Sequence, residues 1–218
     1  MSFMAPSINL SHTASALLTG VHSFGLSARD TLSPATQKIK DIVTSPLGQT
    51  VIGFGLGMGA HRIYGPLTEK IVKALGVSAI LPDPFRDLHL PYKIFLAPFV
   101  CVLGPILEEK MFRGDLQETL KDKFEFFYLN RGFSYSAANT AARVTSVLFG
   151  SIIFGLIHFT NAIVFWCNPV LFLPQVVAAT IMGLIFGLAK ELSGELDMPV
   201  AMHVGNNTLA WAHYMYRP

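Results

Sequence analysis

The stretch VTSVLFGSIIFGLIHFTNAIVFWCNPVLFLPQVVAATIMGLIFGLA, Val144 to Ala189, contains no Lys, Arg, Asp or Glu. About 20 predominantly apolar residues of helix cross a bilayer core, so the tract is long enough for two spans. Asn161, Asn168 and Pro169 cluster near its middle and mark a break. The reading is a pair of membrane helices over 144–163 and 169–189, with His158 deep inside the first.

Three more segments extend this pattern. Residues 92–120 start apolar and end charged, and residues 198–214 are apolar but carry His203, Asn206, Asn207 and His213. Residues 47–64 contain GFGLGMG, in which Gly53 and Gly57, and Gly55 and Gly59, are four apart. That spacing lets transmembrane helices approach closely. Gly183 and Gly187 repeat it. The expected fold class is all-α, a polytopic membrane helix bundle of about five spans. The helices near 92–120, 144–163 and 198–214 should surround a polar intramembrane active-site cavity.

Composition supports a membrane protein and excludes other classes. The 218 residues are 51% hydrophobic and 14% charged, with mean hydropathy +0.47 and 17 phenylalanines. A net charge of +2 is scattered rather than gathered into a basic stripe, so nucleic acid is not an expected partner. Cys101 and Cys167 lie in apolar segments and form neither a disulfide framework nor a C-x-x-C pair. They read as small buried hydrophobes.

Residues 1–45 are rich in Ser and Thr, with no acidic residue before Asp30, and read as a flexible tail or an acid-poor targeting segment. Residues 46–90 hold the first span and then PLTEKIVKALG, where Leu67, Ile71 and Leu75 recur at four-residue spacing. This piece is expected on the membrane surface, followed by a Pro-rich turn. Residues 91–216 form the core. Within it the connection 115–143 alternates aromatics with charges in KDKFEFFYLNRGFSY, as side chains at headgroup level do.

Two glutamates interrupt the 92–120 segment at PILEEKMFRGDL, Pro105 to Leu116. A charge at the centre of a spanning helix costs about 2.5–3.5 kcal/mol on insertion scales, so such groups face protein or water and usually have a task. At the α-helical rotation of about 100° per residue, Glu109 and Arg113 fall on one face while Glu108 and Arg113 do not. The spacing therefore predicts an internal Glu109–Arg113 pair and a Glu108 carboxylate left free. On the other segments, Phe154 and His158 lie one turn apart, as do His203 and Asn207. A carboxylate, an imidazole and an imidazole–amide pair meeting in a membrane cavity can activate water and hold an oxyanion.

In their order and setting, EEKMFR (108–113), FGLIH (154–158) and HVGNN (203–207) resemble the EExxxR, FxxxH and HxxxN motifs of the CPBP or Abi intramembrane proteases. That family includes the eukaryotic CAAX-processing endopeptidase. The resemblance implies an endopeptidase in which Glu108 and His158 activate the attacking water and His203 and Asn207 stabilise the oxyanion. Glu109, Arg113 and Phe154 are implied as supporting residues. No cofactor is favoured, with zinc on Glu108, His158 and His203 as the alternative, since a carboxylate and two imidazoles suit a catalytic zinc with an open position. The expected partners are the lipid bilayer and a peptide or protein substrate, prenylated ones included. The expected location is an integral multi-pass membrane protein, in the cytoplasmic membrane if bacterial. Two other classes stay open: a proton-coupled transporter or channel, which also needs buried Glu and His but should show an internal repeat or paired broken helices, and a non-catalytic scaffold or immunity protein of the same fold, which would tolerate loss of Glu108.

Overall fold

The computed structural model of the chain describes residues 34–77, 88–164 and 168–216, and these are helices joined by short turns. Helix α1 is Pro34–Thr44 and α2 is Pro46–Ala74; α3 is one continuous helix over Leu90–Asn130. Next come α4 (Tyr135–Ile157), the short α5 (Thr160–Val164), α6 (Leu173–Ser193) and α7 (Asp197–Tyr216).

The uncharged tract becomes α4, α5 and α6, with its break where Asn and Pro predict one. Ser134 caps the start of α4 by accepting from the Ala137 amide. Asn168 does the same for the 3-10 turn Pro169–Phe172, accepting from Val170 at 3.0 Å. Asn161 donates to Gln175 at 2.9 Å and so ties the break to α6. Gly194 ends α6 with φ +79°, a left-handed position that side chains avoid. Cys101 is buried, whereas Cys167 lies outside the described residues.

Three described helices are long and apolar enough to cross a membrane: Leu90–Asn130, Tyr135–Ile163 and Pro169–Ser193. This corrects the expectation of about five. The other two segments are helices, α2 and α7, but their composition falls short. Gln49, His61, Arg62 and the many glycines dilute α2, and His203, Asn206, Asn207 and His213 dilute α7. These two helices pack along one another. A Cβ at Gly57 would overlap the Met202 carbonyl oxygen, and one at Gly205 would overlap that of Phe54. Only glycine permits so close a backbone approach at these positions.

Connections are shorter than expected because helices continue through them. The amphipathic piece after Gly65 is not a separate surface segment but the last turns of α2, which passes through Pro66. Most of the Pro-rich turn after it lies outside the described residues. Likewise α3 runs on to Asn130, and only a tight turn through Gly132, φ +81°, separates it from α4. Cross-helix contacts stabilise this extension: Tyr128 and Thr145 hydroxyls lie 2.9 Å apart, Asn139 donates to Glu125 at 3.0 Å, and Phe124 packs on Phe149. The expected flexible segment 1–45 includes α1, whose exposed Ile39, Ile42 and Val43 share one face; residues 1–33 lie outside the described residues.

Two π-helical segments interrupt α3, Phe99–Leu103 and Lys110–Leu116, and the glutamates sit between them on the six-residue α-helical piece Gly104–Glu109. Such wide turns are rare and concentrate at functional sites. In the i→i+5 turn, successive side chains rotate less about the axis, so residues four apart stay closer to one line than in an α-helix. Glu109, Arg113 and Gln117 all face inward as a result and are buried.

Candidate active site

Glu109 is the centre of a buried polar cluster at the junction of α3, α4, α6 and α7. Its side chain is fully buried, and Arg113, one turn on, is 2% exposed. Arg113 Nε lies 3.1 Å from Glu109 Oε2. The charges pair, but Oε2 has no partner aligned for a hydrogen bond among the described residues. Arg113 is held further by donating through Nη2 to the Gly183 carbonyl at 3.2 Å. Its guanidinium also stacks over Phe154, 4.4 Å from the ring centre, where the face of the ring attracts a cation.

The other Glu109 oxygen reaches across the bundle. Oε1 lies 2.8 Å from His203 Nδ1. A carboxylate only accepts, so Nδ1 carries the proton and the ring's Nε2 is turned away from Glu109. Nε2 lies 3.8 Å from Glu108 Oε2, and the Glu108 side chain is 38% exposed. The ring is fixed by Phe186, stacked at 4.9 Å between centres, and by the edge of Phe154 at 5.9 Å. Glu108 and Glu109 thus stand in different surroundings, one half-open beside an imidazole edge and the other enclosed and paired.

His158 closes α4. Its Nδ1 lies 2.8 Å from the Phe154 carbonyl oxygen, which can only accept, so Nδ1 donates and a neutral His158 presents Nε2 as an acceptor. Phe154 packs against the His158 ring at 5.0 Å. Glu108, His203 and Arg113 all lie near enough to act on His158 electrostatically.

Asn207 is engaged differently from the simple reading of its spacing to His203. Its Nδ2 donates to the Val100 carbonyl at 3.0 Å and its Oδ1 accepts from Asn206 at 3.1 Å. No hydrogen bond joins Asn207 to His203 among the described residues. The described residues also contain no group of three His, Cys, Asp or Glu side chains placed to hold one metal ion. Glu108, His158 and His203 are not gathered as such a group.

Several residues of this region escape motif reasoning. Gln117 continues the Glu109–Arg113 stripe by one more step of four. It donates to Glu191 Oε1 at 2.9 Å and lies against the Gly187 carbonyl. Following the stripe along the sequence would have found it. Phe186, Tyr64 and Asn206 carry no such signal, because their partners are remote in the chain. Next to Glu191 is a polar cleft of about 260 Å³, lined by Glu118, Lys121, Asn139, Arg143, Lys190 and Glu191. Its charges pair internally, Arg143 with Glu191 and both Lys121 and Lys190 with Glu118. Neither Glu108 nor either histidine lines it.

The profile of the family described as type II CAAX prenyl endopeptidase Rce1-like matches residues 90–209. No curated protein and no solved structure matches the chain. The matched stretch is more than half of the sequence and runs from the start of α3 into α7, taking in Glu108, Glu109, Arg113, His158, His203 and Asn207. The chain belongs to the Rce1-like family of type II CAAX prenyl endopeptidases.

Proposed function

We propose that this protein is an intramembrane endopeptidase in which Glu108 is the general base toward water, and that its substrates are prenylated peptides or proteins. One observation carries the reading. Of two adjacent carboxylates, Glu109 is consumed by Arg113 and His203, whereas Glu108 stays partly open 3.8 Å from the His203 ring. A base must keep a lone pair for the proton it removes and lie within one water of it.

The reaction follows from these groups. On this reading Glu108 and the Nε2 of His158 hold the attacking water between them. Glu108 takes a proton as the oxygen attacks the carbonyl carbon of the scissile peptide bond, forming a tetrahedral oxyanion. His203, held at Nδ1 by Glu109, donates to that oxyanion through Nε2. The remaining Asn207 N–H is a second donor. The tetrahedral species then collapses, the C–N bond breaks, and Glu108 returns its proton to the leaving amine. Beside Glu108, α3 exposes Ile106, Leu107 and Met111, an apolar flank on which a prenyl chain can lie.

The test is cleavage by purified protein in detergent or liposomes, comparing a prenylated peptide with its unprenylated twin. Wild type should cleave the prenylated form, and Glu108→Gln should be folded and inactive. Full activity in Glu108→Gln would remove Glu108 from the role of base, and equal cleavage of both peptides would reject prenyl selectivity.

A further inference from the structure

We propose that Tyr64 is a positioning residue of this active site, acting through Asn206 on the side-chain amide of Asn207. The inference rests on the protease reading given above. Tyr64 lies on α2, outside the stretch 90–209 that matches the family.

A directed chain of hydrogen bonds links three helices. The Tyr64 hydroxyl donates to Asn206 Oδ1 at 2.8 Å, Asn206 Nδ2 donates to Asn207 Oδ1 at 3.1 Å, and Asn207 Nδ2 donates to the Val100 carbonyl at 3.0 Å. Val100 belongs to the first π segment of α3, nine residues' worth of helix or less before the glutamates. Tyr64 and Asn206 are each 8% exposed.

The direction of the chain has one consistent solution. The Val100 carbonyl can only accept, so the amide nitrogen of Asn207 must face it. Oδ1 of Asn207 then faces Asn206, which must donate, and that leaves Oδ1 of Asn206 toward Tyr64. Turning either amide round brings donor against donor or acceptor against acceptor in a buried setting, and an unsatisfied buried polar group costs about 1–3 kcal/mol. Each bond also polarises the next. Fixing the plane of Asn207 fixes where its second N–H points, and that N–H is the one available to an oxyanion. The ring of Tyr64 contributes separately, packing with Ala60, Met202 and Phe186, so its hydroxyl can be removed while the packing is kept.

Tyr64→Phe is the test. In detergent-solubilised protein labelled with ¹⁵N-asparagine, the Asn207 side-chain amide signals are assigned by their loss in Asn207→Asp. Tyr64→Phe should shift them. On the prenylated peptide it should lower kcat by about ten-fold with KM unchanged, the lower end of what loss of an orienting partner costs. In the Asn207→Ala background the same change should add no further loss, because groups acting in series are not additive. Unmoved Asn207 signals, or an equal loss in both backgrounds, would overturn the proposal and leave Tyr64 a packing residue. If the wild type cleaves nothing, the protease reading fails, and the amide shift alone still decides whether Tyr64 orients Asn207. Should Tyr64→Phe not fold, Asn206→Asp removes the donor to Asn207 Oδ1 and must produce the same shift and the same loss of kcat; an unchanged Asn207 amide there also refutes the chain.

Discussion

Replacing Glu109 by glutamine should destabilise the protein far more than replacing its neighbour Glu108. In the native state Glu109 is fully buried, with His203 Nδ1 at 2.8 Å on one oxygen and Arg113 Nε at 3.1 Å on the other. The substitution leaves the Arg113 guanidinium, 2% exposed, without its carboxylate. Arg113 Nη1 is already without a hydrogen-bond partner among the described residues. Breaking one side of a buried pair costs about 3–5 kcal/mol. Arg113 keeps the Gly183 carbonyl and the Phe154 ring, and Glu108 also acts on it, so the low end, about 3 kcal/mol, is expected. For a domain of this size each kcal/mol moves the midpoint by roughly 2–4 °C, so the loss should be about 6–12 °C. Glu108→Gln removes a partly exposed carboxylate with no partner closer than 3.8 Å among the described residues and should stay within about 0.5 kcal/mol of wild type. Removing both charges in Glu109→Gln/Arg113→Met should recover most of the loss, because it leaves no unpaired charge buried in the cluster. The assay is the fraction of monodisperse protein surviving a heating series in detergent, read by size exclusion. A Glu109→Gln midpoint within about 2 °C of wild type, less than one kcal/mol on this scale, would refute the reasoning, as would a larger loss in Glu108→Gln.

Other outcomes follow from the same geometry. Activity should survive exhaustive zinc chelation; loss on chelation with recovery on stoichiometric zinc would replace the metal-independent reading by a metal-dependent one, in which the ion lowers the pKa of bound water to about 7. His203→Ala, which removes an oxyanion donor, should lower kcat on the order of 10²–10³, and an effect confined to KM would show that His203 only binds. Gly57→Ala should reduce folded yield, because its Cβ meets the Met202 carbonyl and overpacking costs about 1–3 kcal/mol. Gly59→Ala, with nothing within 4 Å of its Cβ, should be neutral or stabilising by about 0.5–1 kcal/mol; equal behaviour of the two would deny the close approach of α2 and α7.

What the sequence determined by itself is whatever depends on neighbours in the chain. An uncharged run of the right length specifies helices in a membrane through hydropathy alone, and the break at Asn161 to Pro169 follows from residues that disrupt helices. The Glu109–Arg113 contact was legible because four residues are about one turn, whatever the rest of the fold does. Helix ends were less legible, since cross-helix bonds such as Tyr128–Thr145 extend α3 and α4 into what reads as a loop. The number of spans misled because helix length and glycine spacing suggested spans at α2 and α7, whereas the Gly, His, Asn and Gln residues they carry leave both less apolar than the three spanning candidates. The π turns of α3 likewise left no sign in the residues that form them. Only the tertiary structure decided which carboxylate meets His203, because Glu109 and His203 are 94 positions apart, and which way the Asn207 amide points, because Tyr64 stands 142 positions from Asn206. Such pairings depend on how the helices rotate and cross, which side-chain packing sets across the whole bundle and no local spacing encodes.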